Sequence, residues 1–244
     1  AVLGSIQPQP LRNHSDGSLV LAEIEAAIKP DDAHFARTRL LCLENTIGGK
    51  VLHSAYLESV TQLARARGLT THLDGARLFN AAVAVGMPAR VIASHFDSVS
   101  VCFSKGLGAP VGSALCGNKE FIGRTHRWRK MAGGGMRQAG ILAAGAMYAL
   151  DHHIERLRED HALAKHLAEG LHGLPGVSIE PPQTNMVFVD VAGERAEGLL
   201  AFLKARGILA TGLYRLRFVT HMDVDGEGIA RTVAAMREFF CTKG

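Results

Sequence analysis

Cysteine is scarce in this sequence, net charge is small, and long apolar runs are missing. The four cysteines, Cys42, Cys102, Cys116 and Cys241, stand 60, 14 and 125 positions apart. No C-x-x-C pair exists to hold zinc or exchange disulfides. Cys42, Cys102 and Cys116 lie in apolar stretches, which predicts buried, reduced thiols. Lys plus Arg total 27 and Asp plus Glu 23, and this scattered surplus of +4 leaves no electrostatic footprint for a nucleic acid. No apolar run approaches the roughly 18 residues that cross a bilayer. The opening residues lack the basic-then-apolar order of a secretion signal, so the expectation is a cytoplasmic protein without a membrane partner. Twelve histidines invite a metal, yet neither H-E-x-x-H nor a Cys/His ligand spacing occurs. His152, His153, His161 and His166 read instead as part of a charged helical face. Gly-Lys-Ser/Thr is absent, and no G-x-G-x-x-G follows a strand pattern, which excludes a P-loop and a dinucleotide fingerprint. Repeats and low-complexity tracts are absent too.

What is present is an ordinary globular composition, 47% hydrophobic and 20% charged, arranged as alternating strands and helices. Residues 40–45 form an apolar run ending in Glu44-Asn45, and residues 54–68 have helical spacing that closes on Gly68. Residues 69–73 read as a strand stopping at Asp74-Gly75. Residues 97–103 read as another, stopping at Ser104-Lys105-Gly106, and residues 111–116 as a fourth. This order predicts an α/β fold with a mainly parallel sheet, its apolar strands buried on both faces. Gly133-Gly134-Gly135 marks a flexible loop, and 136–171 read as one long helical stretch broken near 151–153. Beyond Pro175-Gly176 the pattern changes to short strands at 177–180, 186–191, 208–210 and 215–219, with helices at 194–206 and 225–240. The expected division is a large domain over 1–153 and a small α+β domain over 154–244.

Reactive residue types collect at the predicted strand ends: Glu44-Asn45, Asp74-Gly75-Ala76-Arg77 and Ser104-Lys105. In an open parallel sheet, ligands bind beyond the carboxyl ends of strands. Lys105 is either a solvated lysine or a Schiff-base amine. Asp74 is either a helix N-cap or the partner of a pyridinium nitrogen, the ion pair that makes such a ring an electron sink. Arg77 is either a surface cation or a fork for a carboxylate.

Six stretches together carry a resemblance: HFARTRLLCLENTIGGKVL (34–52), HLDGARLFNA (72–81), CFSKGLGAPVGS (102–113), RWRKMAGGGMRQAGILAAG (127–145), QTNMVFV (183–189) and RFVTHMDV (217–224). In order and spacing they resemble the low-specificity L-threonine aldolases, enzymes of the PLP-dependent transferase (fold type I) class that use pyridoxal 5'-phosphate. The resemblance implies that Lys105 forms the Schiff base with the cofactor and that Asp74 holds its ring nitrogen. It implies that Arg77 and Arg217 grip the substrate carboxylate, Arg217 rather than Arg215 being selected by the RFVTH match. His34 would stand near the substrate's β-hydroxyl as general base. Lys130 and Arg137, flanking the triple glycine, would reach a neighbouring subunit's cofactor phosphate, which implies a homodimer or homotetramer with shared active sites. The implied reaction is retro-aldol cleavage of a small β-hydroxy-α-amino acid, threonine or allo-threonine, to glycine and acetaldehyde. Another fold type I enzyme (aminotransferase or β-eliminating lyase) and a non-catalytic truncated homologue are the alternatives. The family pattern starts about ninety residues earlier and includes the helix N-terminus that meets the phosphate, so this chain is expected to be N-terminally incomplete and a poor catalyst.

Overall fold

A computed structural model describes residues 3–191, 195–212 and 215–241. Its first half is built from α1 (Leu21–Ala27), β1 (Leu40–Glu44), α2 (Ser54–Ala66), β2 (Thr70–Gly75), α3 (Leu78–Val85), α4 (Ala89–Ala93), β3 (Ser98–Cys102) and β4 (Ser113–Gly117). The strands lie in the order β1-β2-β3-β4. The first three are parallel, because a helical crossover separates each from the next, and β4 turns back antiparallel on β3. On α2 the spacing of Leu57, Val60, Thr61 and Ala64 makes one buried stripe. That stripe packs with Leu41, Leu43, Leu73, Val99 and Val101 and with Ala81 and Ala82 of α3.

The sheet is not buried on both faces as expected. Burial alternates along β1, with Leu41 and Leu43 inside while Leu40 is 47% exposed and Cys42 is exposed. The run Leu-Leu-Cys-Leu is apolar throughout, yet successive side chains still point to opposite faces. The cysteine reading, which buried Cys42, Cys102 and Cys116, is corrected as well, Cys116 lying on the largely exposed β4. Cys42, Cys116 and Cys241 are exposed and Cys102 is half-buried.

The long helical stretch begins later than expected. Following the exposed α5 (Lys119–Met131), it divides into α6 (Gly140–His152) and α7 (Leu157–Leu171), with the break at 153–156. The second half continues with β5 (Val177–Ile179), β6 (Met186–Val191), α8 (Arg195–Ala205), β7 (Thr211–Gly212), β8 (Leu216–Val219) and α9 (Gly226–Cys241). These strands form an antiparallel sheet in the order β5-β6-β8-β7. Leu167 and Leu171 of α7, Leu199 and Leu203 of α8 and Met236 of α9 cover Val187 and Val189. Residues 208–210 are not the expected strand. The Ile208 amide donates to the Leu203 carbonyl after Gly207 turns at φ +70°, so it closes α8 instead of joining a ladder. Glu194, expected to open that helix, and Ala1 and Val2 lie outside the described residues.

The two sheets are stitched together by the turn after β1. Thr184 donates its hydroxyl to the Gly49 carbonyl at 2.7 Å, and the Val51 amide donates to the Gln183 side chain at 2.8 Å. Lys50 pairs with Glu180 beside them. A smaller core of Leu107, Ala109, Ala146, Ala149 and Leu157 fills the angle between the loop after β3 and the α6–α7 joint.

Candidate active site

The C-terminal ends of β1 and β2 set two carboxylates side by side, since Glu44 is the register partner of Asp74. Asp74 is itself the partner of Ser100 on β3, and β3 leads into the loop that carries Lys105. Ala76 donates its amide to Asp74 Oδ1 at 3.0 Å. Asp74 does not cap α3, whose N-cap is Arg77 and receives no side-chain bond. The capping alternative is thereby set aside, and this carboxylate stays exposed for another partner.

Electrostatics tie the remaining residues together. Burial and then Asp74 push the Glu44 carboxyl above its ordinary range, while Arg77 and Lys105 pull it back. The Arg77 guanidinium is lowered first by burial and then by Arg217, against Glu44, Cys102 and Asp74. So two guanidinium groups, one from each half of the chain, stand close enough to repel. Their mutual repulsion is relieved by an anion placed between them, and planar forks suit a carboxylate. Arg217 keeps its Nε on Thr211 Oγ1 at 3.2 Å. Arg215 is engaged elsewhere: it reaches Asp190 at 2.9 Å and Glu180 at 3.9 Å, and its guanidinium lies over the Phe188 ring. Arg217→Lys is expected to raise KM for the amino acid by about 10- to 100-fold with cofactor affinity nearly unchanged. Unchanged kinetics would transfer the role to another cation.

The other expected residues are placed less centrally. His34 is 89% exposed, with Nδ1 2.6 Å from Asp32 Oδ1. Asp32 is held below the usual carboxylate range, first by the His34 amide and then by the ring. Among the described residues, no hydrogen bond or ion pair joins His34 to the strand-end group. Lys130, in the last turn of α5, and Arg137, in the loop before α6, are both exposed.

Some residues at this site were missed in the sequence. His72 lies two positions before Asp74 and therefore on the same face of β2. Its Nδ1 is 2.8 Å from Ser98 Oγ, and burial lowers its pKa against the pull of Asp74. The period of two within HLDGAR was the available signal. The reading of His153 and His161 as members of a charged face is corrected. His161 Nε2 meets Asn80 Nδ2 at 3.1 Å, and burial lowers its pKa to about 4. His153 Nδ1 meets the Leu107 carbonyl at 2.6 Å.

Comparison with known proteins places the chain in a family. A family model described as beta-eliminating lyase matches residues 1–194. The low specificity L-threonine aldolase of Escherichia coli (strain K12) is 51% identical over 239 residues, covering 98% of this chain and 72% of that protein. A solved putative aromatic amino acid beta-eliminating lyase/threonine aldolase from Exiguobacterium sp. 255-15 is 28% identical. It covers 95% of this chain and 68% of its own, with a TM-score of 0.75. A PLP-dependent aminotransferase from Streptococcus suis, 19% identical, shares the fold at a TM-score of 0.68 over 94% of this chain and 63% of its own. The fold is that of the PLP-dependent fold type I enzymes. From the matched family model and from the aldolase relative, the chain belongs to the low-specificity L-threonine aldolases, within the beta-eliminating lyase family.

Proposed function

We propose that this chain is a lyase that cleaves L-threonine and L-allo-threonine between Cα and Cβ, giving glycine and acetaldehyde. The observation that carries this reading is the register of Glu44 beside Asp74 at the strand ends, with Arg77 and Lys105 near enough to act on Glu44 and Arg217 near enough to act on Arg77. Such a group holds an amino acid by its carboxylate next to an amine and an acid. The donor set fits pyridoxal 5'-phosphate: Lys105 offers an amine for its aldehyde and Asp74 a carboxylate for its protonated ring nitrogen. Lys130 and Arg137 of a neighbouring subunit would hold its phosphate. When bound, this cofactor supplies a sink for the electron pair left when the Cα–Cβ bond breaks.

The protein's residues supply the rest. Arg77 and Arg217 clamp the carboxylate and so set which bond at Cα stands in line for cleavage. His34, its ring oriented by Asp32, takes the proton from the β-hydroxyl as the aldehyde departs. Lys105, once protonated, would deliver to Cα the proton that completes glycine, while His34 returns its own to solvent. Residues 1–153 form the cofactor-holding domain and 154–244 the small domain in this reading. A homodimer or homotetramer with shared sites, and the cytoplasm as its setting, belong to it as well. No helix among the described residues is long and apolar enough to cross a membrane.

The test is to load the purified chain with pyridoxal 5'-phosphate and supply L-threonine or L-allo-threonine. Glycine and acetaldehyde in equal amounts support the reading. Ammonia and a keto acid in their place would assign β-elimination, and amino-group exchange with a keto acid would assign transamination.

A further inference from the structure

The loop of residues 103–112 is shaped by its own backbone. Gly108 donates to the Lys105 carbonyl at 2.8 Å, Ala109 to Phe103 at 3.0 Å, and Phe103 to Gly112 at 3.0 Å. These bonds fix the loop's form but not where it sits against the rest of the molecule. Placement comes from the α6–α7 joint. A carbonyl oxygen can only accept, so the 2.6 Å contact means that His153 Nδ1 carries the hydrogen and donates to Leu107. Leu107 is 3% exposed and packs with Ala149 and Leu157, which anchors the same turn by burial. Between Lys105 and Leu107, Gly106 is pressed against Leu157 and Asn80. A Cβ there would lie 2.9 Å from Leu157 Cδ2 and 3.4 Å from Asn80 Oδ1. Asn80 is itself held by His161 of α7. The two residues that follow Lys105 are thus fastened to the helices that lead into the small domain.

We propose that His153 is a positioning residue for Lys105, acting through its hydrogen bond to the Leu107 carbonyl. The proposal rests on the reading of Lys105 as the reactive amine. A lysine reaches its target on a flexible four-carbon stem, so its backbone anchor must be placed accurately. Misplacement of a reacting group by about 1 Å can cost on the order of 100-fold in rate. A donor that pins the carbonyl two residues away limits such drift, while the binding of substrate by Arg77 and Arg217 is left alone. The effect therefore belongs in kcat rather than KM.

The test compares His153→Leu with His153→Asn in the cofactor-loaded chain, since the asparagine amide can donate to the same carbonyl. Amide hydrogen exchange over 103–112, melting temperature, kcat and KM for L-allo-threonine are measured. In His153→Leu, loop exchange should rise about 10-fold. Its kcat should fall about 10- to 100-fold with KM held within about 2-fold. His153→Asn should recover most of both. Unchanged loop exchange in His153→Leu, or a kcat loss that His153→Asn does not recover, overturns the proposal. If the unaltered chain releases no acetaldehyde, the proposed function fails, and the exchange contrast still decides whether His153 holds the loop.

Discussion

Replacing Lys105 by alanine should lower threonine cleavage by about 1,000-fold or more and leave the melting temperature unchanged. The contrast follows from where the residue sits. Its side chain is exposed, and its structural duty, accepting the Gly108 amide, is performed by the backbone carbonyl. Alanine keeps that carbonyl and loses only the amine. An amine that forms the covalent link to a cofactor and then manages a proton has no substitute within the loop. Borohydride reduction of the loaded protein, followed by peptide mapping, checks the same assignment directly. Label on Lys105 is expected, whereas label on Lys119 or Lys130 would move the reactive amine elsewhere.

Asp160→Ala should have the largest effect on stability, about 3 kcal/mol, or a fall of about 6–12 °C in melting temperature. The Asp160 side chain is fully buried, and it receives Arg156 at 2.7 Å, whose own side chain is 19% exposed. Truncation would leave that guanidinium mostly buried with only the exposed Glu159 carboxylate, 3.9 Å away, as counter-charge. Yet the pair itself adds little. Desolvation raises the Asp160 carboxyl above its ordinary range, and the Arg156 hydrogen bonds and charge only partly offset it. With the folded-state pKa raised, the native protein binds this proton more readily than the unfolded chain does. Asp160's contribution to stability therefore grows as pH falls below its folded-state pKa towards the ordinary carboxylate range. A double variant, Arg156→Met with Asp160→Leu, should lie within about 1 kcal/mol of the parent. Denaturant midpoints of the two variants settle the matter, and equal losses in both would show that the site tolerates no apolar pair.

Much of this site was legible because it is local. Asp74, Arg77 and Lys105 all follow strand patterns closely, and parallel strands with helical crossovers place successive strand ends on one edge. Other features could not be read from pattern. The uniform apolarity of Leu40–Leu43 hid the fact that Leu40 and Cys42 point away from the core. Hydrophobicity records what a strand can bury, not whether a neighbour covers it. His161 looked like one polar residue among many on α7, because its partner, Asn80, lies 81 positions earlier. Ile208 read as strand because it is β-branched and buried, although its amide serves the end of α8. Contacts of that range are set by tertiary packing, and no window along the chain contains them. The choice of Arg217 over Arg215 came from resemblance alone; nothing in the local pattern foretold that Arg215 pairs with Glu180 and Asp190.

The turn after β1 also bears on the order in which the molecule can assemble. Ladder partners in the first sheet are close in sequence, Leu40 with Thr70 and His72 with Ser98. Gly49 and Val51, by contrast, wait for Thr184 and Gln183, which lie 135 and 132 positions later. At the usual pace of synthesis, about 5–20 residues per second, that wait is on the order of ten seconds. The first sheet and the loop bearing Lys105 can therefore form on the ribosome while this turn still lacks its partners. Arg217 emerges later still, so a nascent chain acquires Lys105, the proposed reactive amine, well before it acquires Arg217, the proposed second arm of the carboxylate clamp.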